Sequence, residues 1–252
     1  MNFQGKTIVI TGASRGIGLA MAQACVSAGA NVVLASRKQA DLDAAAATLP
    51  PEQVLAVACH TGKAADVDAL FTRATDRFGR VDGLVNNAAT NPYFGPLVDT
   101  PDAAIDKTVE VNLKGYFYAA RAMVRHARGR GATAGVSIVN VASASHYQAK
   151  RIDWDALRRP TASVTGMQEY AVSKLANVLF TKELARRYPA ITSTSLHPGV
   201  IASDIWSRRI PRPFAWLMTR FMKSTADGAR TSIHCATAAD VVSGRYYTDA
   251  KE

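Results

Sequence analysis

A β-branched run at Lys6–Ile10 (KTIVI) passes directly into Thr11-Gly12-Ala13-Ser14-Arg15-Gly16-Ile17-Gly18 and then into a helical pattern over Leu19–Ala28. Strand, glycine turn and helix in immediate succession leave few folds open to a chain. Glycines there let the backbone approach a pyrophosphate and let the helix pack on the strand. The helix amino terminus presents unpaired N–H groups to the anion. The spacing is Gly12-x-x-x-Gly16-x-Gly18 rather than GxGxxG. A tight turn without a ligand is the alternative, and the flanking strand and helix argue against it.

The alternation continues. A second strand, Asn31–Ala35, ends in Ser36-Arg37-Lys38, where a dinucleotide fold meets the adenosine ribose. An acidic residue there accepts from a free 2′-OH, and a basic one neutralises a 2′-phosphate. Ser36 and Arg37, with Arg15 in the glycine loop, favour NADP(H) over NAD(H); the alternative is a capping serine beside a surface arginine. A helix is expected over Asp41–Leu49, stopped by Pro50-Pro51. A third strand, Gln53–Ala58, leads to Cys59-His60-Thr61, with His60 and Thr61 expected to line an adenine site. The helix Ala64–Phe78 precedes a fourth strand, Val81–Val85, which runs into Asn86-Asn87-Ala88-Ala89. Small residues at that strand end suit the close approach of a nicotinamide ribose, and the asparagines can also bond neighbouring backbone.

A long helix from Pro101 to about His126 carries Asn112, a poor mid-helix residue unless its side chain is employed. A fifth strand, Val136–Val141, ends in Ala142-Ser143-Ala144-Ser145, and an irregular stretch reaches Gln168. In the helical run from Met167 to Tyr188, Tyr170 and Lys174 stand four apart on one face. A phenol with a pKa of about 10 exchanges protons poorly at neutral pH. An ammonium beside it stabilises the phenolate and brings it toward the range of a general acid/base. A sixth strand, Ile191–Leu196, closes on His197-Pro198-Gly199-Val200; a basic, aromatic stretch covers 201–223. A helix over Ala226–Ala239 and an edge strand over Gly244–Thr248 complete the chain. With no linker or repeat, this reads as one α/β domain, a doubly wound parallel sheet with helices on both faces.

At 252 residues, 48% hydrophobic and 20% charged, the chain suits one soluble core. It lacks a run of eighteen apolar residues and starts almost at once on a strand, so neither a spanning helix nor a signal peptide is expected. Cys25, Cys59 and Cys235 lack metal-ligand spacing and read as reduced, buried thiols of a cytoplasmic protein, with no metal centre. The net charge of +10 is spread over modest clusters without a nucleic-acid motif, so no nucleic-acid partner is expected. A solvated surface and a phosphate-bearing cofactor account for it. The amphipathic, basic stretch Arg208–Lys223 offers a membrane-surface contact as an alternative.

Thr11-Gly12-x-x-x-Gly16-x-Gly18, Asn86-Asn87-Ala88-Ala89, Asn112, Ser143, Tyr170-x-x-x-Lys174 and Pro198-Gly199 resemble, in order and rough spacing, the motifs of the short-chain dehydrogenase/reductase family. The resemblance spans essentially the whole chain. It implies that Tyr170 passes a proton to or from the substrate oxygen, which the Ser143 hydroxyl holds and polarises. Lys174 would lower the Tyr170 pKa and bond the nicotinamide ribose, and Asn112 would anchor a water relaying protons from Lys174 to solvent. Cofactor contacts are implied for Gly12, Ser14, Arg15, Gly16, Ile17, Gly18, Ser36, Arg37, His60, Thr61, Asn87, Ala88, Ala89, Tyr170, Lys174, Pro198, Gly199, Val200 and Ser203.

Three features depart from the common pattern. The third motif ends in Ala89 where most members have Gly, His60 replaces an Asp that contacts adenine, and the 27 positions from Ser143 to Tyr170 exceed the usual gap. That gap, with Asn140–Ser143, Ser173–Phe180 and His197–Val200, looks like the retinol dehydrogenase-like branch. Residues 1–118 look more like bacterial carbonyl and acyl-carrier-protein reductases. A recombined or engineered chimera joined between about Tyr118 and Val136, or a natural mosaic, would account for this. Elements 144–169 and 201–223 are expected to wall the pocket. Trp154, Trp206, Phe214, Trp216 and Phe221 point either to a lipophilic aldehyde, ketone or alcohol or to internal and oligomer packing. The alternatives are a 3-oxoacyl-carrier-protein reductase and, in another class, an NADP-binding sensor or scaffold, which would be expected to lack Tyr170 or Lys174. In the family, helices corresponding to 101–126 and 167–188 pair between subunits, which implies a homodimer or homotetramer.

Overall fold

The computed structural model describes residues 3–90, 92–93, 99–131, 135–153, 167–199, 201, 223–238 and 240–251. Seven strands form one sheet in which every pairing is parallel: β1 (Thr7–Thr11), β2 (Asn31–Ser36), β3 (Val54–Ala58), β4 (Gly83–Asn86), β5 (Val136–Val141), β6 (Ile191–His197) and β7 (Tyr246–Thr248). Their order is β3-β2-β1-β4-β5-β6-β7. The winding therefore reverses between β1 and β4, which opens a crevice at the carboxyl ends of the strands.

The strands β1 to β5 are mostly apolar runs because both faces of the sheet are covered, whereas β6 buries Ser193, Thr194 and Ser195. Side-chain alternation divides them between two cores. Ile8, Ile10, Val32 and Leu34 meet Met21 and Cys25 of α1 (Gly16–Ser27), Leu42 of α2 (Gln39–Ala46) and Ile233 of α7 (Thr225–Thr237). Val9, Val33, Leu84 and Ile138 face the other way. They meet Leu70 and Phe71 of α3 (Ala64–Phe78), Met123 of α5 (Gly115–Gly129) and Leu184 of α6 (Met167–Arg187). The doubly wound single sheet expected from the sequence is the fold observed.

Boundaries move where side chains claim backbone groups. The fourth strand begins at Gly83 rather than Val81 because the Val81 N–H donates to His126 Nε2 at 3.0 Å instead of to a neighbouring strand. The last strand is shorter than expected, Tyr246–Thr248, although the Gly244 N–H still bonds the Ser193 carbonyl of β6. The expected long helix is three pieces: α4 (Asp102–Val109), a π-helical turn over Glu110–Lys114, and α5. Asn112 sits inside the π turn, where mid-helix irregularities recur at functional sites.

His126 also ties the sheet's amino-terminal edge to charge. Beside it, buried Asp82 accepts from Thr7 N–H, pairs with Arg80 and lies near Arg130. Burial, reinforced by Arg130 and Arg80 and opposed by Asp82, holds the His126 pKa below its ordinary value of 6.5. The unfolded chain therefore takes up this proton first, so the contribution is full above about pH 6.5 and is lost as pH falls through the lowered folded value. Thermal midpoints measured from pH 8 to pH 5 should fall on the acid side, and His126→Gln should flatten that fall. An unchanged slope in the variant would remove His126 as its source.

Candidate active site

The candidate site is built from loops that leave the carboxyl ends of the strands. Thr11, at the end of β1, is its hub. Its hydroxyl donates to the Val85 carbonyl at 3.2 Å and accepts from the Asn87 and Ala88 N–H groups, each at 3.0 Å. The Asn87 amide nitrogen returns bonds to the Thr11 and Gly12 carbonyls at 2.9 and 3.3 Å. The loop after β4 is thereby sewn to the glycine loop, while Ala89 is exposed at its rim.

Gly18 has no room for a side chain: a Cβ would stand 2.4 Å from the Gly12 carbonyl oxygen. Gly16 differs, having φ +60° and open space around it. α1 then begins at Gly16, next to Ile17, with no side-chain cap at Arg15 and no acidic residue in its first turn. Uncapped N–H groups beside a tightly packed glycine turn fit a pyrophosphate. At the end of β2 the Ser14 and Ser36 hydroxyls meet at 3.3 Å, with Arg15 and Arg37 exposed beside them.

The loop after β3 carries His60 and Thr61. His60 Nε2 is engaged by Lys107 Nζ of α4 at 3.1 Å, and Nδ1 is buried without a partner. Thr61 is buried, with its hydroxyl packed against Gly115, where a Cβ would come within 2.9 Å. Both residues thus join β3 to the α4–α5 arm.

Ser143 follows β5 and opens a 3₁₀ turn over Ala144–Gln148. Its Oγ accepts from the Ser145 N–H at 3.2 Å, and it stands near enough to the Tyr170 hydroxyl to lower its pKa. Lys174, one turn along α6, is buried, with Nζ 5.7 Å from the Tyr170 ring centre and 3.4 Å from the Val141 carbonyl oxygen. The same carbonyl accepts from the Tyr116 hydroxyl at 2.9 Å.

Burial raises the Tyr170 pKa, and the Ser143 hydrogen bond only partly offsets it. Burial likewise lowers Lys174 to about 8. The expected dominance of the lysine charge over the phenol is therefore replaced by desolvation. The phenol is protonated at neutral pH and can donate.

Asn112 is tied to the loop after β4. Its Oδ1 accepts from the Thr90 N–H at 2.8 Å and its Nδ2 donates to the Thr90 carbonyl at 2.9 Å. This reciprocal pair fastens the loop after β4 with one bond at each end of the amide, which leaves a second acceptor and a second donor position. Pro198 and Gly199 follow β6, and a Cβ on Gly199 would meet Lys223 Cδ at 2.9 Å. Lys223 is ion-paired to Asp249. Val200 and Ser203 lie outside the described residues, as do Trp154, Trp206, Phe214, Trp216 and Phe221. The stretch offered for membrane contact is described only at Lys223; among the described residues no helix is long and apolar enough to cross a membrane.

Sequence reasoning read Thr11 only as part of a motif, without its bonds, and passed over Thr90, Tyr116 and Lys107. Each acts on backbone or side chains distant in sequence, so no local pattern marks it.

Residues 6–153 match the family model described as short chain dehydrogenase. The chain belongs to the short-chain dehydrogenase/reductase family. This short-chain dehydrogenase/reductase is 37% identical over 203 residues to dehydrogenase/reductase SDR family member 4 of Oryctolagus cuniculus, covering 79% of this chain and 72% of that one. It is 32% identical over 256 residues to retinol dehydrogenase 12 of Mus musculus, covering 98% and 78%. That alignment crosses the region where the two sequence resemblances meet. The crystal structure of 3-ketoacyl-(acyl-carrier-protein) reductase from Brucella melitensis complexed with NADH superposes with a TM-score of 0.77. Its identity is 27%, over 97% of this chain and 96% of that one. The protein is an oxidoreductase of a family that binds a nicotinamide cofactor.

Proposed function

We propose that the protein interconverts a lipophilic carbonyl compound and its alcohol with NADP(H), using Tyr170 as general acid/base. The observation that carries this reading is the juxtaposition of Tyr170, Ser143 and the buried Lys174 ammonium, whose Nζ lies 5.7 Å from the phenol ring centre. When bound, the nicotinamide supplies or takes the hydride. Gly12, Gly16, Ile17 and Gly18 would hold its pyrophosphate, and Asn87, Ala88, Lys174, Pro198 and Gly199 the ribose and nicotinamide side. Ser143 fixes the substrate oxygen and stabilises charge growing on it. Tyr170 gives that oxygen a proton during reduction and recovers it in oxidation. Lys174, with a pKa of about 8, is mostly an ammonium at neutral pH and would stabilise the phenolate that Tyr170 becomes once its proton has been given up.

Arg15 and Arg37, both exposed, flank the Ser14–Ser36 pair, and residues 36–38 contain no acidic side chain. That arrangement supports a 2′-phosphate and hence NADP(H). Tyr147, 71% exposed and four residues beyond Ser143, supports an apolar substrate. The runner-up, a 3-oxoacyl reductase, draws support from the likeness to the Brucella enzyme.

An apolar stripe of Ile105, Val109, Leu113 and Phe117 is exposed along α4, the π turn and α5, with Leu179 exposed on α6. Contiguous exposed apolar surface supports a homodimer, and sedimentation as a single chain would end that part of the reading. A panel of lipophilic aldehydes, ketones, alcohols and 3-oxoacyl thioesters, run with NADPH and NADH, tests the function. Turnover of a lipophilic carbonyl with NADPH favoured at least about tenfold is expected. Cofactor binding without turnover of any substrate would replace the enzyme by a sensor.

A further inference from the structure

We infer that Tyr116 is a positioning residue for Lys174, acting through the Val141 carbonyl that the two side chains share. This inference rests on the reading of Tyr170 and Lys174 given above. It begins with a carbonyl left over by the sheet. β4 ends at Asn86, opposite Asn140, so β5 runs one residue past its neighbour. The Ala142 N–H bonds the Leu196 carbonyl of β6 at 2.8 Å. Successive groups along a strand point to opposite sides, which turns the Val141 C=O toward the gap beyond β4. A buried carbonyl without a strand partner must be satisfied by other donors. Here they are the Tyr116 hydroxyl at 2.9 Å and Lys174 Nζ at 3.4 Å.

The phenol does not reach that carbonyl by chance of packing alone. A phenylalanine would fill the same apolar place without the cost of burying a hydroxyl, and Tyr116 is only 3% exposed. Its backbone is tied in from below: Asn86 Nδ2 reaches the Tyr116 carbonyl at 3.5 Å and Asn140 Oδ1 at 3.0 Å. Asn140 Nδ2 then donates to Thr181 Oγ1 on α6 at 3.1 Å. The buried chain thus joins β4, β5 and α5 to α6, which carries Lys174.

The sharing sets how strongly the ammonium is held. Two donors on one carbonyl weaken each other, and the shorter Tyr116 bond keeps the Lys174 bond long. The amine therefore remains available to the cofactor and to Tyr170 rather than being drawn down onto the strand. Elements packed against α6 also carry Glu110 and Lys114 on the π turn, His146 and Tyr147 after β5, and His197 on β6. None of these shifts Lys174, whose lowering comes from burial alone.

The test is Tyr116→Phe, with Thr181→Val as a control that breaks the chain away from Val141. In the cofactor-free protein, NMR of ¹³C-labelled lysine follows the Lys174 titration, which should rise by about half a pH unit in Tyr116→Phe. NADPH-dependent turnover should fall about fivefold or more, mainly in kcat, with its alkaline limb displaced the same way. Thr181→Val should lower the thermal midpoint and leave the Lys174 titration in place. An unmoved titration in a folded Tyr116→Phe would overturn the assignment, as would an equal displacement in Thr181→Val. Absence of turnover in the unchanged chain would instead remove the enzymatic reading itself, while the NMR result would still decide whether Tyr116 governs the amine.

Discussion

Tyr170→Phe should lower carbonyl turnover by about 10²–10⁴-fold, the usual yield of a positioned general acid/base. The substitution removes one oxygen and keeps the ring against which Lys174 Nζ lies at 5.7 Å. Packing around the amine is therefore preserved, and NADPH affinity should change by no more than about twofold. What disappears is the proton that Ser143 helps to aim at the substrate oxygen. Loss in kcat with little change in cofactor binding separates this outcome from a structural effect, which would weaken both. Stopped-flow turnover beside fluorescence titration of NADPH gives the two numbers. Retention of about a tenth or more of the starting rate would remove Tyr170 from the chemistry, because no phenyl ring can exchange a proton.

The prediction draws its strength from a spatial fact the sequence only hinted at. Tyr170 and Lys174 lie four apart, and a helix places them on one face whatever the rest of the chain does. That Ser143 would meet them depends on β5 ending beside α6, which strand and helix periodicity made legible. The alternation also disclosed the sheet, the division of its two faces and the crevice, because each apolar run follows a local period of 2 or 3.6.

The less legible parts are pairings across long stretches of chain. Thr11 bonds Asn87, 76 positions on, and Asn112 bonds Thr90, 22 back, through backbone groups that carry no residue identity. His60 was legible as a residue near the cofactor loops, yet Lys107, 47 positions away, takes its nitrogen. The sign of the Tyr170 shift was missed for a related reason. Spacing shows a neighbouring charge, whereas burial, the larger cause here, emerges only after the whole domain has closed over the phenol.

Gly18→Ala should have the other large effect, and it should act on fold and cofactor together. The added Cβ would lie 2.4 Å from the Gly12 carbonyl oxygen, 2.8 Å from Asn87 Nδ2 and 2.9 Å from Ala13 Cα. Two of these are backbone atoms, so no rotation of a side chain relieves the contact. α1 must retreat or the turn must open, and either movement pulls on the Asn87 bonds that join the β1 and β4 loops. Overpacking of this kind costs about 1–3 kcal/mol, which in a domain of this size lowers the thermal midpoint by several degrees, about 2–4 °C per kcal/mol. NADPH affinity should fall at least about tenfold, since the turn and the helix N–H groups no longer face one anion together. Gly16→Asn supplies the contrast. Gly16 has φ +60° but open space, and asparagine tolerates that conformation better than other side chains. Its midpoint should fall by less than that of Gly18→Ala. Equal losses at both positions would mean that backbone conformation, not the contact between helix and turn, limits the loop.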